Sequence, residues 1–259
     1  FSIFWSEVVN ATFQLEKDEF GSCVKYLGIV LRVMPGGVLE FSLGPGRRAK
    51  LVGICEGILA SNALSCPLAG CLAGKLQAAS TTVFGRLGRC YLHPIYRRCY
   101  QKHPRPDAAL NERLRGAIRW WLEALTVHCE AFTRRIPLAS RVSGRGKVLL
   151  YTDATCTHLG GILYDAGPRS MTQFSAPTTM DWSLPVQVHE TVALEHAIET
   201  FGHMLYGKHV VIFVDNESLQ GAITKGYSDC AICNAAGGRI WHRLMDLRVS
   251  VWFERVPSK

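Results

Sequence analysis

Two short runs constrain this chain more than anything else in it: Val148-Leu-Leu-Tyr-Thr-Asp153 and His209-Val-Val-Ile-Phe-Val-Asp215. Each is apolar and β-rich, and each stops at an aspartate. Runs of this length and composition, bounded by turn residues, are read as strands of a sheet that is covered by helices. A carboxylate just past such a strand lies at the sheet's C-terminal rim, where open α/β folds hold their ligands. The two runs together predict two acids converging on one place.

The stretch between them supplies a third. Residues 186–206 are spaced as a helix. With Glu190 as origin and about 100° per residue, Ala193, Leu194, Ala197, Phe201, Met204 and Leu205 fall within about 60° of it. Glu190 therefore sits in the stripe that faces the sheet, whereas Glu195 and Glu199 lie opposite and are expected to face water. A carboxylate on an apolar stripe is costly unless it is paired or metal-bound. Asp153, Glu190 and Asp215 form a candidate acidic cluster, and oxygen-only sets of this kind suit Mg²⁺ or Mn²⁺. The alternatives are a turn-forming or capping role for an aspartate at a strand end, which is the expectation for Asp165 and a competitor for Asp215, and a buried arginine as partner for Glu190.

The ordered set Thr152-Asp153-Ala154, Val188-His-Glu190-Thr-Val-Ala193 and Val214-Asp215-Asn216 resembles the ribonuclease H domains of retroelements. Lys225-Gly226-Tyr-Ser228 and Arg255-Val-Pro-Ser-Lys259 are similar to the retroelement version too, particularly that of tyrosine-recombinase (DIRS-like) retrotransposons. The resemblance covers residues 147–259. It implies a ribonuclease H-like α/β domain, a mixed five-stranded sheet with helices on both faces. It also implies two Mg²⁺ (or Mn²⁺) ions held by Asp153 as bridging ligand, Glu190 and Asp215. The implied reaction is hydrolysis of the RNA strand of RNA–DNA hybrids, leaving 3′-hydroxyl and 5′-phosphate ends. Such domains use a fourth acid, expected here beyond Lys259, and the polymerase's paired aspartates are expected upstream of Phe1. The chain is therefore expected to be a piece of a longer polyprotein, without polymerase activity and with weak or absent nuclease activity of its own.

Upstream, Val24-Lys-Tyr-Leu-Gly-Ile-Val-Leu31 reads as a strand, Met34-Pro-Gly-Gly37 as a turn, and 38–43 as the return of a β-hairpin. Tyr26-Leu27-Gly28 resembles the primer-grip hairpin at the end of a reverse-transcriptase palm. Helices are predicted over 47–60, 68–84 and 111–132, and over 86–100 arginines and tyrosines interleave, as a backbone-and-sugar contact surface or as an amphipathic helix. Leu72-Ala-Gly-Lys-Leu76 and Val83-Phe-Gly-Arg86 are similar to the thumb helices of the same polymerases. His103-Pro-Arg-Pro106 and 136–147 are predicted linkers, and Trp120-Trp121 is read as packing. The expected division is the end of a palm (1–43), thumb-like helices (44–102), a connection (103–146) and a ribonuclease H-like domain (147–259). Within the last, the element order is βββαβααβ, with Gly207 as a helix stop and Asn216-Glu-Ser218 as a helix start.

Charge separates the two halves. The chain carries a net charge of +8, but residues 1–145 hold 20 Lys and Arg against 10 Asp and Glu, whereas 146–259 hold 9 against 11. Between 86 and 145 there are 13 basic residues and 4 acidic ones. A basic segment beside a weakly acidic domain predicts a polyanion held by one and processed by the other. The expected nucleic-acid contacts are Arg86, Arg89, Arg97, Arg98 and Lys102, with Asn216 and Ser218 beside the acids. The competing reading makes the arginines snorkelling side chains of amphipathic helices.

With 48% apolar and 19% charged residues the chain is globular, not disordered. No apolar run is as long as a membrane span and no leader precedes the first element, so an intracellular protein, cytoplasmic or nuclear and not secreted, is expected. Asn10-Ala-Thr12 is then a chance sequon. The ten cysteines are expected to be reduced. Cys230-Ala-Ile-Cys233 is the one close pair, and without a second pair it reads as two thiols on successive helical turns. Two other functions stay open: a non-catalytic nucleic-acid-binding tether, and another nuclease of this fold, such as an integrase or exonuclease.

Overall fold

The computed structural model describes residues 21–26, 28–80, 86–101, 108–137, 146–181 and 183–256. Lys102, the linker His103-Pro-Arg-Pro106, Val83-Phe84, the sequon and the last three residues lie outside that set.

The first half opens with three strands, β1 (Cys23–Tyr26), β2 (Ile29–Met34) and β3 (Val38–Leu43). The run predicted as one strand is two. Tyr26 pairs with Ile29 across an antiparallel reversal, and Gly28 stands at φ +81°, a left-handed conformation that glycine adopts without a Cβ penalty. Four helices follow: α1 (Pro45–Ser61), α2 (Cys66–Ser80), α3 (Arg89–Cys99) and α4 (Glu112–Thr126). Asn111 starts α4, its Oδ1 accepting from the Leu114 amide at 2.8 Å. The chain then returns as β4 (Thr133–Pro137), which adds to β3 and completes a four-stranded antiparallel sheet.

That return was not expected, since Thr-Arg-Arg-Ile-Pro carries no apolar alternation. Its pairing is held by charge: Glu40 of β3 is 6% exposed and accepts from Arg32 at 3.3 Å and from Arg135 of β4 at 2.8 Å. Leu51, Cys55, Ile58, Leu72, Leu76, Ile95, Leu114, Ile118, Trp121 and Phe132 belong to one hydrophobic cluster. The boundary expected at 102–103 thus crosses a shared core.

The second half runs β5 (Lys147–Ala154), β6 (His158–Asp165), β7 (Ser170–Pro177), α5 (Val186–Thr200), α6 (Gly202–Leu205), β8 (His209–Val214), α7 (Glu217–Lys225), α8 (Ala231–Asp246) and β9 (Ser250–Arg255). The sheet order is β7-β6-β5-β8-β9, antiparallel among the first three and parallel from β5 through β8 to β9. This is the mixed five-stranded ribonuclease H-like arrangement expected. The helices, however, line one face only among the described residues. Val148, Leu150, Leu163, Val210, Ile212, Val214 and Phe253 bury themselves with Leu194, Phe201, Leu219, Ile223, Ile240 and Leu244. On the other face Tyr151 stacks on Phe213 at 4.6 Å, and Ile162 and Trp252 are exposed. Two right-handed crossovers that step the same way along a sheet put their helices on the same side, which is why α5, α7 and α8 share one face.

The two halves meet where α3 lies against α7 and α8. Arg86 Nε donates to the Thr224 carbonyl at 2.5 Å and Arg89 Nη1 to that of Lys225 at 3.2 Å, satisfying C-terminal carbonyls of α7. Asn234 Nδ2 donates to the Cys90 carbonyl at 3.2 Å. A Cβ on Gly238 would stand 2.8 Å from Cys90 Sγ, so only glycine allows the helices this approach.

Candidate metal centre

Asp153 lies at the C-terminal end of β5, and Asp215 follows the last residue of β8. These strands are parallel neighbours in the register Tyr151↔Phe213. Two residues further on, that register brings the aspartates side by side. Glu190, in the second turn of α5, faces them from the helix layer and is 2% exposed. One carboxylate oxygen from each of the three lies within 4.8 Å of the others.

The electrostatics follow from that placement. Burial, and then the charges of Asp215 and Asp153, push the Glu190 carboxyl up to about 7. The Ala154 amide works the other way: it donates to Asp153 Oδ1 at 2.9 Å and hydrogen-bonds to Glu190. Glu190 Oε2 is buried with no partner. Among the described residues none of the three acids forms an ion pair, so no buried arginine offsets Glu190. An orphaned carboxyl oxygen beside two exposed carboxylates is a donor set that a hard divalent cation fits.

Other expectations divide. Asp165 is a turn residue, accepting from the Gly167 amide at 3.0 Å and pairing with Lys208. Asn216 Oδ1 caps α7 through the Leu219 amide at 2.9 Å, and Ser218 lies exposed in its first turn. Glu195 does not face water: its side chain is 14% exposed and grips Arg239 of α8 in a two-pronged ion pair. Arg98 is buried, donating to the Ala109 carbonyl, and is not offered to a polyanion in this fold. Arg86 and Arg89 are spent on α7, while Arg97 reaches Asp229 at 3.1 Å and keeps half its surface.

Two polar residues beside the acids escaped notice. His189 is 4% exposed with neither ring nitrogen partnered, and Thr152 Oγ1 is buried without a partner. The signal for His189 was present, since one residue before Glu190 lies on the shoulder of the same buried stripe.

Residues 145–236 match the model of a family described as an RNase H-like domain found in reverse transcriptase. Over this segment, then, the likeness is to a reverse-transcriptase ribonuclease H-like domain. A search of the curated proteins finds no match. Among solved structures, RNase H1 of the halophilic archaeon Halobacterium salinarum NRC-1 is 13% identical, covering 44% of this chain and 86% of its own, with a TM-score of 0.36. LC11-RNase H1, isolated from compost by a metagenomic approach, is 22% identical over 43% of this chain and 84% of its own, with a TM-score of 0.35. The foamy viral protease–reverse transcriptase, solved in complex with dsDNA, is 12% identical over 92% of this chain, which spans 46% of that one, with a TM-score of 0.33. No described helix is long and apolar enough to cross a membrane.

Proposed function

We propose that Asp153, Glu190 and Asp215 hold two divalent cations, Mg²⁺ or Mn²⁺, and that this site hydrolyses the RNA strand of RNA–DNA hybrids in an intracellular retroelement reverse transcriptase of DIRS-like kind. The observation that carries the proposal is the meeting of three carboxylate oxygens within 4.8 Å, with Glu190 Oε2 buried and unpartnered. Bound cations supply the charge that activates a water and stabilises the entering and leaving oxygens of the phosphodiester displacement. The protein's part is placement. The exposed aspartates hold their oxygens at the rim where a backbone phosphate can approach, and Asp153 would be the ligand shared by the ions. Glu190 closes the inner side and would complete the donor set, giving up its proton to do so. The upstream half supplies the end of a palm, the thumb and the connection of the parent enzyme, and Arg97 is its exposed phosphate contact beside the domain junction.

The test has two readouts. With 5′-labelled RNA annealed to DNA, cleavage requires Mg²⁺ or Mn²⁺ and falls about a hundred-fold or more in Asp153→Asn, a loss of about 3 kcal/mol of transition-state stabilisation. Titration calorimetry of the chain with Mn²⁺ shows binding that Glu190→Gln and Asp215→Asn weaken. Hybrid binding with no metal-dependent heat and no cleavage would instead establish the tether reading. Faster cutting of duplex DNA than of hybrid would indicate a different nuclease.

A further inference from the structure

Arg255 ends β9 at the same edge of the sheet as the acidic centre and takes no part in it. In the parallel pairing of β8 with β9, Arg255 stands opposite Val214, and the Val256 amide donates to the Val214 carbonyl at 3.0 Å. Asp215 is the residue after Val214, so the guanidinium and the acids share one rim. That rim is otherwise anionic. Across residues 153–158, 215–218 and 254–256 the acids are Asp153, Asp215, Glu217 and Glu254, and Arg255 is the one Lys or Arg. Glu254 is occupied: its Oε2 accepts from Trp252 Nε1 at 3.1 Å and its Oε1 from the Arg255 amide at 3.1 Å. Glu217, the first residue of α7, accepts from Arg255 Nη1 at 3.2 Å. The Glu217 side chain is 79% exposed and that of Arg255 39%.

We propose that Arg255 is a backbone-phosphate contact beside the metal centre, and that Glu217 holds its guanidinium in place until nucleic acid takes over. The inference rests on the nucleic-acid hydrolysis proposed above. An ion pair between groups this exposed is screened by water and salt and adds little to stability, so exchanging Glu217 for a phosphate costs little. A guanidinium offers its N–H donors in a planar fork that matches phosphate oxygens. A polyanion laid along a rim of carboxylates is repelled wherever no cation stands between them, and Arg255 is the fixed positive charge there. A phosphate contact sets the position of a strand without reading its bases, which suits a site that cuts without regard to sequence.

A strut between β9 and α7 is the competing role, and it behaves differently on mutation. Affinity of the full chain for a fluorescein-labelled RNA–DNA hybrid is measured by anisotropy over a range of NaCl concentrations, in chelator so that no strand is cut. Arg255→Ala is expected to weaken binding about five-fold and to make the slope of log K against log salt shallower by nearly 1, as for one lost phosphate contact. Arg255→Lys keeps the charge and restores the slope. Glu217→Gln frees the guanidinium and tightens binding about two- to five-fold, the release of one exposed ion pair. A strut fails alike from either end: Arg255→Ala and Glu217→Gln would both lower the melting temperature and both leave the slope unchanged. That result overturns the proposal, as does hybrid binding by the wild type with no salt dependence. Cleavage with Mg²⁺ or Mn²⁺ is followed separately. A shallower slope in Arg255→Ala without cleavage by the wild type upholds the phosphate contact and refutes the nuclease, and metal-dependent cleavage with an unchanged slope does the reverse.

Discussion

Glu190 shows how one residue ties the stability of the fold to its chemistry. Its carboxyl is raised from 4.5 to about 7 by burial and by two neighbouring carboxylates. Between these values the folded chain binds more protons than the unfolded one, so stability falls as pH rises. The contribution is complete below about 4.5 and gone above about 7. Because Asp153 and Asp215 stand in water and are screened, about 1–2 kcal/mol is expected rather than the full conversion of the shift. In metal-free buffer the melting temperature therefore falls between pH 4.5 and 8, and Mg²⁺ or Mn²⁺ at pH 8 raises it again by mass action. Glu190→Gln flattens the pH slope and removes the metal response together. A slope that survives this substitution would show that Glu190 is not the group that titrates.

Elements show what a linear pattern carries and what it does not. Glu190 was legible because a helix has one period, and a carboxylate inside an apolar stripe stands out against it. The strand ends at Asp153 and Asp215 were legible for a related reason, since both runs stop abruptly. The split at Gly28 was not, because Lys25 to Leu31 stays β-rich across the turn and only the positive φ reveals the reversal. Strand β4 was hidden because its partner lies about a hundred residues away and the bond between them is Glu40 with Arg135. The open sheet face was hidden because Tyr151, Phe213 and Trp252 are as apolar as the buried residues they alternate with. Helix α8 carries a test at this scale in two adjacent glycines. A Cβ on Gly237 finds its nearest atom at 4.0 Å, so Gly237→Ala gains helix propensity and is expected to stabilise by about 0.5–1 kcal/mol. A Cβ on Gly238 meets Cys90 Sγ at 2.8 Å and Tyr91 Oη at 3.3 Å, so these buried side chains or α3 itself have to shift. Gly238→Ala is expected to destabilise by about 1–2 kcal/mol despite the same propensity gain. Denaturant midpoints of the pair decide it, and equal signs would refute the close approach of α3.

Among the described residues the molecule has two hydrophobic cores that meet where α3 and α4 lie against α7 and α8, and the join uses arginines that charge alone assigns to nucleic acid. The segment from 86 to 145 is strongly basic, but Arg98 is buried and Arg86 and Arg89 hold the last carbonyls of α7. Net charge describes attraction at long range; it does not say which guanidinium is already engaged at short range. A cation bound to a helix end is worth about 0.5–1 kcal/mol, small against either core, and it adds to a seam where Met245 of α8 also packs on the first core and His242 meets Trp120 and His128. Two measurements on the double variant Arg86→Ala/Arg89→Ala separate the roles. If the pair joins the halves, calorimetry of the wild type gives one transition, and the variant gives two, or one whose calorimetric enthalpy exceeds its van't Hoff enthalpy. The salt dependence of hybrid binding then stays as it was. If the pair neutralises phosphates, melting stays cooperative, and the slope of log K against log salt becomes shallower by nearly 2, as expected for two lost phosphate contacts. The hydrogen bonds to Thr224 and Lys225 favour the first outcome, because a guanidinium that holds a helix end must release it before it can hold a phosphate.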